Sequence, residues 1–263
     1  MHKLLRLWLA SWARALTYRG DIFFWSLTEI VTPLVALAIW YTVSRTSAGP
    51  FTPQETITYY ILAIFTLSMT NVWNGFFLIQ EIQNGKVVQQ LIRPIGFFWY
   101  HLGRNLTAKI IRLVPQTIAF GIIFAIFASS LSPTVFELRN ILFFLATIGA
   151  GLTIAFILDM AFAMLAFWIE DAIQIREYKE VISNIASGLL VPIAFMPESL
   201  QTIFNWLPFR YIISAPIEIM LGQAPGAEAW KLLGIQVVWI GMCAVLLRAL
   251  WRKGLKVYVV PGQ

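Results

Sequence analysis

Residues 138–169, LRNILFFLATIGAGLTIAFILDMAFAMLAFWI, form an apolar run in which Arg139 and Asp159 are the only charged side chains. A helix that crosses the roughly 30 Å hydrocarbon core of a bilayer needs about 20 mostly apolar residues, and this run is longer than that. Five more apolar runs accompany it, at residues 22–44, 56–79, 106–127, 181–195 and 232–250. The pattern predicts an all-α, polytopic integral membrane protein with six transmembrane helices.

The composition of the whole chain supports the same class. Hydrophobic residues make up 59% of the 263 residues and charged residues 12%, whereas a soluble domain is typically about 45–50% apolar and about 25% charged. No Ser/Gly-rich linker or low-complexity run divides the chain, so residues 1–263 are predicted to form a single transmembrane domain. The lone Cys243 excludes a disulfide framework and a cysteine metal cluster.

The distribution of cations predicts the orientation of the chain. Lysine and arginine together number 19, and with six spans only four of them fall on one side: Arg45, Arg139, Arg210 and Lys231. All the others fall on the side that holds both termini. Because cytoplasmic loops carry the excess of lysine and arginine, both termini are predicted to be cytoplasmic.

Residues 1–20 have the periodicity of an amphipathic helix. Lys3, Arg6 and Arg14 share one arc of a helical wheel, while Trp8, Trp12 and several leucines lie opposite. This separation predicts a helix that lies in the membrane interface, with its cations toward the headgroups. The alternative is that these residues are only the charged flank of the first span.

A short connection on the cytoplasmic side, residues 81–95, reads EIQNGKVVQQLIRPI. Gly85 ends the preceding helix, apolar residues then recur at helical spacing between polar ones, and Pro94 stops the pattern. The segment therefore predicts a short amphipathic helix suited to a groove on another protein. The alternative is an interfacial elbow that touches only lipid.

The segment before the last span, residues 191–221, is interrupted by Pro192, Pro197 and Pro208. Proline removes a backbone donor and disfavours a continuous helix, and irregular backbone at membrane depth survives only where protein or a wet cavity surrounds it. We therefore expect re-entrant helices that dip from the outer face and form an external gate. An ordinary outer loop with one surface helix is the alternative.

The chain resembles the type 2 ABC exporter permeases. Glu81, Gly85, Leu91 and Pro94 stand in the order and spacing that those permeases show between their second and third helices. The amphipathic start, the six spans and the Gly/Pro-rich segment before the last span are also similar. The resemblance implies that segment 81–95 is a coupling helix for a separate ATPase. The coupling residues that it implies are Glu81, Gly85, Lys86, Val87, Val88, Leu91, Arg93 and Pro94.

The same resemblance implies the partners and the location. Two copies of an ABC ATPase would bind ATP and Mg²⁺, since this chain has no G-x-x-x-x-G-K-[ST] phosphate loop and no cofactor of its own is expected. A second permease, identical or related, would complete the pathway in a bacterial inner membrane. The substrate would be an amphiphile such as a lipid, drug or glycan, moved outward.

Four charged residues within or beside the spans are candidate pathway or ion-pair residues: Glu29, Asp159, Lys109 and Arg112. A carboxylate at mid-membrane costs several kcal/mol, and it usually marks a pathway or an ion pair. Glu29 and Asp159 are predicted to lie at similar depth, where Lys109 or Arg112 would neutralise one of them. The sequence is compatible with either role for these carboxylates, a buried ion pair or a contact with substrate.

Other functional classes fit the sequence less well. The only histidines are His2 and His101, and no Glu-Glu pair occurs, so neither the metal site nor the catalytic base of an intramembrane enzyme can be assembled. A channel or a secondary carrier that is not driven by ATP remains an alternative, although the chain shows no convincing internal repeat. A scaffold without transport is a further alternative.

Overall fold

The computed structural model describes residues 19–46, 49–91 and 96–258, and within these ranges the protein is built from α-helices and short 3-10 turns. The α-helices are α1 Arg19–Thr46, α2 Pro53–Thr70, α3 Asn74–Gln83, α4 Val87–Leu91, α5 Phe97–Phe127, α6 Leu138–Ala163, α7 Ala172–Ala186, α8 Glu198–Asn205, α9 Arg210–Met220 and α10 Ala227–Val257. Most of the predicted interfacial helix, residues 1–18, lies outside the described residues, as do Arg93 and Pro94.

Four helical segments of the described chain are long and apolar enough to cross a membrane: Pro53–Gln83, Phe97–Ser130, Leu138–Phe167 and Ala227–Val257. They cover the second, third, fourth and sixth predicted spans, so the prediction of an all-helical, multi-pass membrane protein is confirmed. Helix α1 covers the first predicted span with 28 residues. Helix α7 has 15 residues, which is short of the roughly 20 needed to cross, and the count of six spans stays a prediction.

Several helix boundaries differ from the predicted ones. The second span is interrupted at residues 71–73, α5 begins at Phe97 rather than at residue 106, and α7 begins at Ala172 rather than at residue 181. Charged residues in these regions suggested loops, but the structure places Arg104 and Arg176 within helices, where both form ion pairs. Pairing removes most of the penalty that would otherwise exclude such residues from a buried helix.

Helix α6 lies at the centre of the bundle and packs against α2, α3, α7, α9 and α10. Gly151 permits the close approach of α9, because a Cβ atom there would lie 3.1 Å from the backbone oxygen of Ile212. Gln236 of α10 donates from Nε2 to the carbonyls of Thr147 (2.9 Å) and Tyr211 (2.7 Å). These contacts fix α9 and α10 along the same helix.

The chain between α7 and α8 is irregular, yet its carbonyls have partners. Tyr59 donates its hydroxyl proton to the Gly188 carbonyl (2.8 Å), and Trp40 Nε1 donates to the Leu190 carbonyl (2.9 Å). Protein donors thus replace the helical hydrogen bonds, as irregular backbone in a bilayer requires. Helix α8 is exposed and α9 is buried against α2 and α6.

Three of the four prolines of segment 191–221 lie at the starts of its short elements, and the fourth, Pro216, lies inside α9. Pro192 precedes the 3-10 turn Ile193–Phe195, Pro197 caps α8, and the carbonyl of Pro208 accepts from Tyr211 in the first turn of α9. The segment is therefore two short helices rather than one. Its re-entry from the outer face stays a prediction.

Candidate functional site

The interruption between α2 and α3 lies within a segment long enough to span a membrane. Asn71 adopts extended backbone angles (φ −61°, ψ 135°), so the hydrogen-bond ladder of α2 ends there and nearby carbonyls need other donors. Lys109 of α5 supplies them, since its Nζ donates to the carbonyls of Asn71 (2.8 Å) and Ser68 (3.2 Å). A buried cation therefore stabilises the break.

A fully buried carboxylate, Asp159 of α6, lies on the other side of the break. Its Oδ1 is 3.2 Å from Nε of Arg176 and 3.4 Å from Nζ of Lys179, both on α7. Its Oδ2 accepts from the backbone N–H of Gly75 at 2.5 Å, in the first turn of α3, where the helix dipole favours a negative charge. Arg176 Nη2 also donates to the Val72 carbonyl (3.3 Å). We call Asp159, Arg176, Lys179 and Gly75 the Asp159 cluster.

The second cation of the Asp159 cluster is balanced by a carboxylate from its own helix. Glu180 lies 2.7 Å from Nζ of Lys179 and 3.3 Å from Nη2 of Arg176. Its side chain is 29% exposed, whereas those of Arg176 and Lys179 are almost completely buried. The cluster thus extends from the centre of the bundle to its surface.

Replacing Gly75 with Ala is expected to lower the free energy of unfolding by about 1–3 kcal/mol, because it overpacks the Asp159 cluster. A Cβ atom at Gly75 would lie 2.8 Å from the carboxylate and from the backbone oxygen of Asp159. Thermal unfolding of the purified protein in detergent measures the effect. Gly149→Ala on α6 is the matched control, since no atom lies within 4 Å of the new methyl group. Equal unfolding temperatures for the two variants would contradict the packing found here.

The second intramembrane acid, Glu29 of α1, contacts α5 and the break. Arg112 Nη1 is 3.6 Å from Oε1, Gln116 Nε2 donates to Oε2 (2.7 Å), and Trp73 Nε1 donates to Oε1 (3.1 Å). The structure therefore brings Glu29 and Arg112 together, while Lys109 binds backbone carbonyls. Of the four candidate residues, Asp159 alone forms ion pairs with described side chains outside that set.

A third polar network connects α3, α4 and α5, and we call it the α4 bracket: Glu81, Gln90, His101, Arg104 and Asn74. Glu81 Oε1 accepts from Arg104 Nη1 (2.5 Å), and Oε2 accepts from Gln90 Nε2 (2.7 Å). His101 Nε2 lies 3.0 Å from Gln90 Oε1. Arg104 Nη2 donates to Asn74 Oδ1 at 2.9 Å. Charge-assisted hydrogen bonds of this kind are roughly twice as strong as neutral ones.

Both ring nitrogens of His101 have partners in the α4 bracket. Nδ1 lies 3.2 Å from Arg104 Nη2 and 3.3 Å from Asn74 Oδ1, and the two contacts require opposite protonation of that nitrogen, since arginine can only donate. Asn74, the first residue of α3, is next in sequence to Gly75. The α4 bracket and the Asp159 cluster therefore meet at the same turn.

Helix α4 presents different faces to the protein and to solvent. Val87 and Gln90 are buried, whereas Val88 is 40% exposed and Lys86 is exposed. Val87, which was predicted as a docking anchor, is buried and packs with the core of the chain, and its part in coupling stays a prediction. Gly85 has φ +74°, a left-handed conformation that favours glycine and lets the chain reverse between α3 and α4.

The sequence matches one known protein family over most of its length. The family model described as ABC-2 family transporter protein matches residues 27–262. The chain belongs to the ABC-2 transporter family. A search of curated proteins returns no match. The predicted resemblance is confirmed, and the protein is a membrane permease of an ABC transporter, a transport subunit that is not itself catalytic. Its family in general implies an ABC ATPase partner.

The ABC-2 permease has a narrow cleft beside the Asp159 cluster, with a volume of about 40 Å³. Helices α2, α6, α7 and α9 form it. Its polar lining consists of Thr70, Asn71, Lys179, Glu180, Ser183 and Asn184. The cleft thus joins the helix break to the polar side of α7, within a bundle that is otherwise mostly apolar.

Several residues of the permease networks were not predicted from sequence: Asn74, Gln90, His101, Arg104, Arg176 and Lys179. One signal was available for the last two, because Arg176 and Lys179 are three residues apart and so share one face of a helix. No comparable signal pointed to His101 or Gln90. Their pairing depends on the reversal of the chain at Gly85.

Proposed function

We propose that this permease is the transmembrane subunit of an ATP-driven exporter and that segment 81–95 couples it to a separate ATPase. The observation that carries the proposal is the α4 bracket. It fixes α4 from inside through Gln90, while the exposed side chain of Val88 remains available to a partner. A short amphipathic helix held in this way is suited to a groove on another protein.

The proposed docking surface combines an apolar side chain with flanking cations. Val88 would insert into the ATPase groove and Lys86 would orient the contact, with Leu91, Arg93 and Pro94 completing it as the family resemblance implies. Glu81 would act indirectly, since its carboxylate binds Arg104 and Gln90. ATP and Mg²⁺ would bind the ATPase, because this sequence contains no phosphate-binding loop.

The path from α4 into the membrane runs through α3. This ten-residue helix is tied to α4 and α5 by Glu81, and its first turn is tied to α6 and α7 by Gly75 and Asp159. Because α3 is separated from α2 by the break at residues 71–73, it can move as a rigid body. Movement of α4 on nucleotide binding would then shift α7 and open the cleft beside it.

The pathway requires a second permease, identical or related. A cleft of about 40 Å³ is far smaller than the roughly 300–1,000 Å³ of sites that bind drug-sized molecules. The neighbouring face of α7 exposes Tyr178, Val181, Ile182 and Ile185. A second chain packed against this face would enclose a larger space between the two copies, and each copy would engage one ATPase.

The remaining features of the proposal follow the family resemblance. Both termini would be cytoplasmic in a bacterial inner membrane, in agreement with the bias of lysine and arginine. The prolines of segment 191–221 would limit the movement of an outer gate. The substrate would be an amphiphile, because the bundle core is mostly apolar with one polar cleft.

Val88→Asp is expected to reduce copurification of the ATPase at least about tenfold, because a charge in an apolar groove costs more than about 1.4 kcal/mol. The affinity-tagged permease would be purified from native membranes, and proteins with a phosphate-binding loop would be quantified in the eluate. Leu138→Asp is the control, since Leu138 is also an exposed apolar side chain, at the start of α6.

Two outcomes would count against the coupling proposal. Unchanged recovery of the ATPase with Val88→Asp would exclude α4 as the docking helix. Transport of an amphiphile by the purified permease alone in proteoliposomes, without ATP, would favour a secondary carrier instead.

A further inference from the structure

A groove of about 850 Å³ lies between α8, α9 and the first half of α10. It is at the end of the bundle remote from α4. The opposite end of α10 is close to α4, since Trp251 stacks on Phe97 and Tyr258 donates its hydroxyl proton to the Ile82 carbonyl near the end of α3. The groove therefore has no part in the contact with the ATPase.

The lining of this groove changes from polar to apolar along α10. Glu228 and Lys231 line it in the first turns of the helix, and Val238, Trp239 and Met242 line it farther along. At 1.5 Å per residue, the distance from Glu228 to Met242 is about 21 Å. One end of the groove thus suits a charged headgroup and the other an acyl chain.

The polar end of the groove has two charged groups that lack a charged partner in the described chain. Glu228 and Lys231 form no ion pair with any described residue. Arg210 also lines this end, where it is bound through Nη2 to Glu218 (2.6 Å) and through Nη1 to Asn205. The groove thus offers an ammonium group and a carboxylate.

Exposed tryptophans indicate the depth of the groove in a bilayer. Trp206, which lines the groove, is 77% exposed, and Trp230 at the end of the first turn of α10 is 65% exposed. Tryptophan concentrates at the level of the lipid headgroups. The charged end of the groove would then lie at the membrane surface and the apolar end within the hydrocarbon.

We propose that this groove binds one zwitterionic glycerophospholipid. The lipid phosphate accepts from Lys231, the lipid ammonium group binds Glu228, and one acyl chain lies along Val238 and Met242. The inference goes beyond the proposed export function. It requires the membrane placement of α10 and does not require coupling to an ATPase.

Native mass spectrometry of the full-length permease in detergent tests the proposal, with palmitoyl-oleoyl phosphatidylethanolamine as the probe. We expect one tightly retained lipid per chain. Lys231→Gln and Glu228→Gln should each raise the Kd about tenfold, since each removes a charge-assisted hydrogen bond to the headgroup. Lys253→Gln, at the opposite end of α10, should leave the Kd unchanged.

A second pair of variants tests the apolar end without changing a charge. Val238→Trp fills the groove and should reduce lipid retention at least about tenfold, whereas Val245→Trp, on an exposed part of α10 outside the groove, should not. Both side chains are largely exposed, so neither change should prevent folding.

Three results would overturn the proposal. The first is retention of phosphatidylethanolamine by Lys231→Gln equal to that by Lys253→Gln. The second is equal retention by Val238→Trp and Val245→Trp. The third is binding of phosphatidylglycerol as tight as that of phosphatidylethanolamine with Glu228→Gln unaffected, which would show that the groove recognises anionic rather than zwitterionic lipids.

Discussion

Asp159→Asn should lower the free energy of unfolding of the permease by about 3–5 kcal/mol, because it leaves buried cations without their central counter-charge. Arg176 and Lys179 are almost completely buried, and among the described residues the carboxylate of Asp159 is the only fully buried one beside them. The amide can still accept the hydrogen bond of Gly75, so the loss measures the charge. Thermal unfolding and the folded yield in detergent report it.

Glu177→Gln is the matched control for this experiment. Glu177 also pairs with Arg176 (3.0 Å), but its side chain is 61% exposed, and an exposed ion pair contributes at most about 1 kcal/mol. An Asp159→Asn protein that unfolds at the same temperature as the Glu177→Gln protein would refute the central role of the Asp159 cluster.

A combined variant separates stability from transport. Replacing Asp159 with Leu and both Arg176 and Lys179 with Met removes all three charges, and such exchanges of buried ion pairs for apolar residues are often neutral or stabilising. A folded triple variant that has lost transport would show that the charges serve the moving parts. A folded triple variant with full transport would show that the three charges are needed only for folding.

Arg104→Gln should reduce ATP hydrolysis by the reconstituted complex, relative to the wild-type complex, by at least about tenfold while the ATPase remains bound. Arg104 of α5 binds Glu81 and Asn74 of α3, and these two charge-assisted hydrogen bonds of about 1.5–3 kcal/mol each fix the carboxylate of Glu81, which in turn holds α4 through Gln90. Without them, α4 would still expose Val88, but Glu81 would no longer be fixed in the position that transmits the movement of α4 to α3. Hydrolysis and copurification, measured on the same preparation, distinguish coupling from docking.

The matched control for Arg104→Gln is Arg139→Gln, at the opposite end of the bundle. Arg139 is 57% exposed and pairs only with Glu137, at 3.8 Å, so its removal should leave hydrolysis unchanged. The double variant Glu81→Arg and Arg104→Glu, which exchanges the two charged partners, should restore part of the ATP hydrolysis that Arg104→Gln loses. Loss of ATPase copurification with Arg104→Gln would show that the α4 bracket serves docking rather than transmission.

The helices that sequence predicted most accurately are those whose apolar runs are uniform. Residues 138–169 match Leu138–Phe167, and residues 232–250 fall within α10. Length and hydropathy suffice for such segments, because a bilayer requires every backbone group of a span to be satisfied within the helix itself. Where the apolar run contains a break or a charge, the predicted helix boundary is wrong by one helical turn or more, as at residues 71–73 and at the start of α7.

The polar networks could be predicted only in part. A buried partner was expected for the intramembrane acids, and the structure brings Arg112 to Glu29. The partners of Asp159 were not expected, because Arg176 and Lys179 were assigned to a cytoplasmic loop. From a single sequence one can predict that burying a charge is unfavourable, but not which helix supplies the opposite charge.

By itself, the sequence determined that this is a helical membrane protein, since composition and the length of the apolar runs are local properties, and its match over residues 27–262 shows that it belongs to the ABC-2 family. Only the tertiary structure decided which charges meet. It showed that Lys109 stabilises a helix break, that Asp159 joins three helices, and that Val87 faces inward while Val88 does not. These results depend on contacts between residues far apart in the chain, and such contacts follow from packing rather than from local pattern.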